Sequence, residues 1–186
     1  MGYIGLSQFT DDVIKGTVTF TTVTTGVYVS INLKSNILRN SRHGIHVHEK
    51  PITKELLKLK NCCDSLGGHF NPTDVNHGHR SDKVNIHGSH IGGHVGDLCN
   101  NIDFDSQGEC IYSYVDELIS INDRNKNCII GRSLIIHDGI DDCGMYHKYK
   151  PGSKEAKDSK ITGNAGSRIS CANILLTKTS LKIIND

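Results

Sequence analysis

The chain has 186 residues, a formal net charge of +1 and a pI near 7.7. That is length enough for one domain over 1–186 with a real core, but the charge offers no basic face to grip nucleic acid, and no stretch is apolar for long enough to span a bilayer. Neither a nucleic-acid nor a membrane partner is therefore expected. The segment Met1 to Ser7 has no basic region followed by an apolar run and a cleavage site, so a soluble, cytoplasmic protein is expected. Seven cysteines form an odd set, most of them free thiols in a reducing compartment, and eleven histidines point towards metal.

Residues 16 to 35 read as a β-hairpin, with Val27, Val29, Ile31 and Leu33 alternating with Tyr28, Ser30, Asn32 and Lys34 after a turn near Thr25-Gly26. A third strand runs through His43-Gly44-Ile45-His46-Val47-His48-Glu49. Lys50 to Lys60 reads as a short helical turn or as a loop packed by Leu56, Leu57 and Leu59. Asn61 to Asn100 is rich in Gly, Asn and His without periodicity and reads as one long loop, a length that needs a function or a tether. Strands resume at Glu109 to Tyr114 and at Asn127 to His137, a second long loop covers 138 to 168, and Ile169 to Leu176 returns as the last core strand. Short strands and few helical patterns predict an all-β protein, an antiparallel β-sandwich or barrel with two long functional loops.

His46 and His48 flank Val47 at i and i+2, so in a strand both point the same way and can share one metal ion. A bare His-x-His is a weak signal, but His69, His77, His94 and His137 each sit in a signature of their own. Imidazole suits zinc and copper, whereas magnesium and calcium take oxygen ligands. Three His and one Asp, with Asp97 three residues after His94, would make a closed structural zinc set. Four His around a second ion suit a copper that changes oxidation state.

Five segments in order, His43 to Glu49, Gly68 to Pro72, His94 to Leu98, Gly131 to His137 and Gly163 to Cys171, resemble the copper/zinc superoxide dismutase family, cytosolic type. The resemblance runs from about Gly16 to Leu176. Enzymes of this family are themselves standing examples of the β-sandwich and of diffusion-limited catalysis. It implies a Greek-key β-barrel, immunoglobulin-like, that disproportionates superoxide to dioxygen and hydrogen peroxide. Copper is implied at His46, His48, His69 and His137, and zinc at His69, His77, His94 and Asp97, with His69 bridging the two. Asp141 matches the aspartate that bonds a ligand of each metal, and Arg168 matches the arginine that docks the anionic substrate. His69 would also carry a catalytic proton. Cys63 and Cys171 match the family's disulfide, a bond worth roughly 2 to 4 kcal/mol, with Cys62 placed to mispair.

The chain departs from the family in three places. Between His77 and His94 it is longer, and His79, His87 and His90 there are expected to be exposed, the alternative being an accessory metal site or a replacement for His77. Ile161 stands where the family has a lysine before Thr162-Gly163, with Lys160 one residue earlier. The insertion Lys50 to Asn61 lies where the family's dimer contact forms, so a homodimer is expected through an altered surface, with a copper chaperone as a further partner. His43 is expected to be structural and His147 exposed, and Cys99, Cys110, Cys128 and Cys143 to be buried or loop thiols. The abundance of Asn, Ile, Lys and Asp suits an AT-rich genome such as that of a large DNA virus. The rival reading is a dismutase-like metal store or decoy, which would have lost a copper ligand or the arginine. A copper-delivery protein would add a Cys-x-x-Cys module, and this chain has none.

Overall fold

Period-two alternation in the hairpin segment does what such alternation does in a sheet: it buries one face. β2 (Lys15–Val23) and β3 (Gly26–Lys34) pair across a two-residue turn, sending Val18, Phe20, Val27, Val29, Ile31 and Leu33 inward and leaving Tyr28, Asn32 and Lys34 outside. The computed structural model describes residues 2–79 and 93–179. Its other strands are β1 (Gly2–Thr10), β4 (Ser41–His48), β5 (Asn101–Phe104), β6 (Glu109–Asp116), β7 (Ser133–His137) and β8 (Arg168–Thr179). Every pairing between them is antiparallel, in the order β5-β4-β7-β8-β1-β2-β3-β6. The two edge strands, β5 and β6, are consecutive in the chain and joined by a tight turn in which the Asp105 N–H donates to Glu109 O at 2.9 Å. The sheet thus curls into a nearly closed barrel, and β6 returns to pair with β3 after β4 and β5 have formed elsewhere. This is the expected all-β Greek-key barrel.

Several elements differ from the sequence reading. β1 has no hydrophobic alternation to reveal it, since its inward positions are Gly5, Ser7 and Phe9; pairing with both β2 and β8 holds it. Only Ser133–His137 of the expected 127–137 strand is extended, because Cys128 closes a turn onto Asn125 O at 3.0 Å and Gly131 has φ +79°. The second long loop contains a helix, α1 (Lys154–Thr162), which buries only Ala156 and Ser159 and so lacks an apolar stripe. Its ends define it instead: Ser153 Oγ accepts the Ala156 N–H at 3.2 Å, and Gly163 closes it in the left-handed region. The leucines of the 50–60 segment do not pack it. Leu56–Lys58 is one 3-10 turn, and Leu57 and Leu59 are 65% and 54% exposed. That segment is tied to β8 through Asn173, whose side chain accepts the Ile52 N–H at 2.7 Å and donates back to Ile52 O at 2.9 Å.

For the site, β4 matters most. Both of its faces are buried: Ile45 and Val47 enter the core, and His46 and His48 face the other way, beneath the two long loops. Its second half pairs with β7, setting His46 opposite Ile135 and His48 opposite Ser133. A register shift between Ile136 and His137 then re-aims His137.

Candidate metal centre

His46, His48, His69 and His137 converge into one buried group, and His69, His77, His94 and Asp97 into a second, with ligand atoms within 4.8 Å of one another in each. The free nitrogens can be read from the bonds made by the others. His46 Nε2 donates to Asp141 Oδ2 at 2.7 Å, His48 Nδ1 to Gly67 O at 3.1 Å, and His137 Nδ1 to Gly166 O at 3.2 Å. That leaves His46 Nδ1, His48 Nε2, His69 Nε2 and His137 Nε2 buried with no hydrogen-bond partner. In the second group, Nδ1 of His69, His77 and His94 lie 2.9, 2.9 and 3.0 Å from one oxygen, Asp97 Oδ1. A tetrahedral zinc with arms of about 2.0 to 2.1 Å sets its ligands roughly 3.4 Å apart, so a small outward movement opens this cluster to the ion. Buried polar atoms without partners are costly. Four such nitrogens aimed at one point fit one metal, the three Nδ1 atoms crowded on Asp97 Oδ1 fit a second, and His69 presents Nε2 to the first and Nδ1 to the other.

The backbone supports this arrangement. The His69 segment is laid along β4 by Phe70 N–H to Val47 O at 2.8 Å and Glu49 N–H to Gly68 O at 3.1 Å. Asp141 joins the groups from behind, Oδ1 accepting from His77 Nε2 at 2.8 Å while Oδ2 accepts from His46. Burial opposes ionisation of Asp97 and Asp141, but their histidine partners outweigh it and hold both carboxylates well below the usual range. Burial drives His46, His48 and His69 down and takes His137 down to about 4, so these imidazoles are neutral. His77 differs: burial lowers its pKa, yet bonds to Asp141 and Asp97 prevail and push it up to about 10.

Arg168, half-buried at the start of β8, donates to Cys63 O at 2.8 Å, Asp64 O at 3.3 Å and Gly67 O at 2.6 Å. These acceptors are neutral, and among the described residues Arg168 forms no ion pair, so its charge stays available to an anion. Cys63 and Cys171 form a disulfide with a Cα–Cα distance of 5.8 Å. His43 bonds His137 O and Ser41 Oγ and takes no part in either group. His79 and His147 are exposed, while His87 and His90 lie outside the described residues. Two contributors were not singled out in the sequence. Buried Asn100 donates to Asp141 Oδ2 at 3.1 Å and Gly78 O at 3.0 Å, and the Gly67 carbonyl serves both His48 and Arg168. The only signal for Asn100 was its place three residues after Asp97.

The family model described as copper/zinc superoxide dismutase matches residues 14–174. The chain belongs to the copper/zinc superoxide dismutase family. As a dismutase it is an enzyme that disproportionates superoxide, with copper and zinc as cofactors. Among relatives, the extracellular superoxide dismutase of Drosophila melanogaster is 36% identical over 171 residues, covering 92% of this chain and 81% of the relative. A dismutase of Paramecium bursaria Chlorella virus 1 is 38% identical over 161 residues, covering 87% and 72%. The crystal structure of the clock protein EA4 superposes with a TM-score of 0.73 at 34% identity, covering 92% of both chains. Similar dismutases of Caenorhabditis elegans and Haemonchus contortus are also named extracellular. These names overturn the expectation of a cytoplasmic protein. That expectation rested on the lack of a leader pattern in seven residues, which carries no information about where a folded dismutase works.

Proposed function

We propose that copper is held by His46 Nδ1, His48 Nε2, His69 Nε2 and His137 Nε2, and zinc by Nδ1 of His69, His77 and His94 with Asp97. The observation that carries this is His69, whose two ring nitrogens face two separate groups of ligand atoms, the first of them without hydrogen-bond partners and the second crowded on Asp97 Oδ1. Copper bound by these four histidines would supply one-electron redox chemistry to superoxide, and zinc a fixed charge that tunes the shared imidazole. Arg168 draws the anion in and orients it from its carbonyl cradle. Where it gives up its bond to copper, His69 Nε2 would take up a proton in the first half-reaction and return it to the peroxide in the second, water supplying the second proton of hydrogen peroxide. Asp141 fixes the tautomers of His46 and His77 from behind.

A homodimer accords with the exposed Tyr3 and Leu176 beside an apolar hollow of about 620 Å³ that Ile121 and Ile130 also line, and with Leu57 and Leu59 exposed on the insertion. Sedimentation of the metal-loaded protein tests this by giving twice the chain mass. A copper chaperone is the matching loading partner; faster copper uptake in its presence is the expected result. The extracellular relatives and the disulfide support an oxidising setting outside the cytoplasm.

The deciding experiment measures dismutation on protein whose copper and zinc have been counted. One of each per chain with a rate near about 10⁹ M⁻¹s⁻¹ is expected, a ceiling for which superoxide dismutase is itself an example. Full metal without turnover would contradict the role given to Arg168, and zinc without copper would contradict the four-histidine assignment.

A further inference from the structure

Three sulfurs meet where the first long loop touches β8. The Cys63–Cys171 bond uses two of them, and the third, Cys62 Sγ, lies 3.9 Å from Cys171 Sγ. All three residues are half-exposed, so solvent base can reach Cys62. We propose that Cys62 is a nucleophilic exchange site, and that the chain has two interchangeable disulfides, Cys63–Cys171 and Cys62–Cys171.

The step is balanced within the chain. The Cys62 thiol gives its proton to solvent, and the thiolate attacks Cys171 Sγ. The Cys62–Cys171 bond forms as the Cys63–Cys171 bond breaks, and the Cys63 thiolate leaves and takes a proton from solvent. Nothing is oxidised or reduced overall, so no external partner is needed. Chain entropy does not choose between the two bonds, since the alternative closes a loop only one residue longer than the 108-residue separation. The local backbone chooses. Cys62 and Cys63 both belong to the 3-10 turn Cys62–Ser65, the same turn whose Cys63 and Asp64 carbonyls hold Arg168. Moving the bond by one residue re-seats that turn and shifts two of the acceptors of the guanidinium, which makes the exchange a control on substrate docking. This last link rests on the role proposed for Arg168; the exchange itself does not.

The test uses metal-loaded protein held at mildly alkaline pH, quenched in acid and labelled with a maleimide. Fragmentation between residues 62 and 63 in tandem mass spectrometry shows which one carries the label. Label appearing on Cys63 and lost in equal measure from Cys62 is expected, rising with pH as the thiolate forms. Label on Cys62 alone at every pH overturns the proposal. A second arm uses Cys63→Ser: after oxidation it is expected to bond Cys62 to Cys171 and leave both unlabelled, and continued labelling of both overturns the proposal. In the Cys62→Ser protein the native bond persists and Cys63 stays unlabelled; label on Cys63 there would show opening without Cys62 and equally overturn it. If the bonds exchange while Cys63→Ser keeps the wild-type KM, the exchange stands and its link to Arg168 fails.

Discussion

Asp141 lies behind the two metal groups and bonds a histidine of each with its two oxygens. Replacing it with Asn leaves an amide N–H₂ facing one imidazole N–H, so one of the two rings loses its anchor. Asp141→Asn is expected to weaken zinc binding roughly 10- to 100-fold, measured by competition with a chelator. At Arg168 the geometry requires a fork, because three carbonyls at different angles share one side chain. A lysine keeps the charge and loses the fork, so Arg168→Lys is expected to cost about tenfold in kcat/KM and Arg168→Ala about 100-fold, with metal content unchanged. His48→Gln should abolish turnover and leave the thermal transition of the fold within a few degrees of the original. Unchanged activity in that variant would remove His48 from the copper set. His77 gives a pH dependence. Without metal it holds its proton up to about 10, and a ligand must lose the proton at Nδ1 to bind zinc. Zinc affinity should therefore rise by about tenfold per unit across about pH 6 to 8, read from zinc titrations at each pH.

At the scale of elements, α1 reaches the metal centre through its last turn and its cap. The Lys160 carbonyl accepts the His77 N–H at 2.8 Å, and Gly163, with φ +65°, packs on the His77–Asp141 bond. A Cβ at Gly163 would sit 2.1 Å from Asp141 Oδ1 and 2.4 Å from His77 Nε2. Gly163→Ala is expected to destabilise the zinc-loaded protein by roughly 1 to 3 kcal/mol in a denaturant titration, and to lower its zinc content. Gly44 on β4 is a close approach of the same kind, its missing Cβ leaving room for Ala165 and His46. Lys160 itself is turned onto the ring of Tyr146, 4.1 Å from its centroid, while Ile161 is 60% exposed. The helix therefore presents Ile161 where the family carries a lysine.

For the whole molecule, barrel strands supply His46, His48, His137 and Arg168 while the long loops supply His69, His77, His94, Asp97 and Asp141, the two parts being joined by the disulfide and by the histidine groups. Steering of the substrate belongs at this scale, since it depends on the summed field and not on Lys160 alone; kcat/KM is expected to fall as salt rises. A rate independent of ionic strength would remove steering from the account. The all-β class and the hairpin were legible because period-two alternation survives in β2 and β3. β1 was not, because a strand with Gly5 and Ser7 turned inward shows no apolar pattern, and α1 was not, because caps and a Lys154–Asp158 pair define it in place of a hydrophobic stripe.

Sequence alone determined the kinds of ligand and their order along the chain, since His-x-His in a strand, the segment Gly68 to Pro72 and the His94–Asp97 spacing are local features. Tertiary structure decided the rest. Which nitrogen of each imidazole is free depends on where Asp141, Gly67 and Gly166 fall in space, and these lie 19 to 95 residues from their partners. The charge on His77 follows from two carboxylates that the fold brings to it from either side. The approach of Cys62 in the loop to Cys171 on β8 is likewise a product of packing, because adjacency in sequence places Cys62 beside Cys63 but says nothing of which sulfur faces β8.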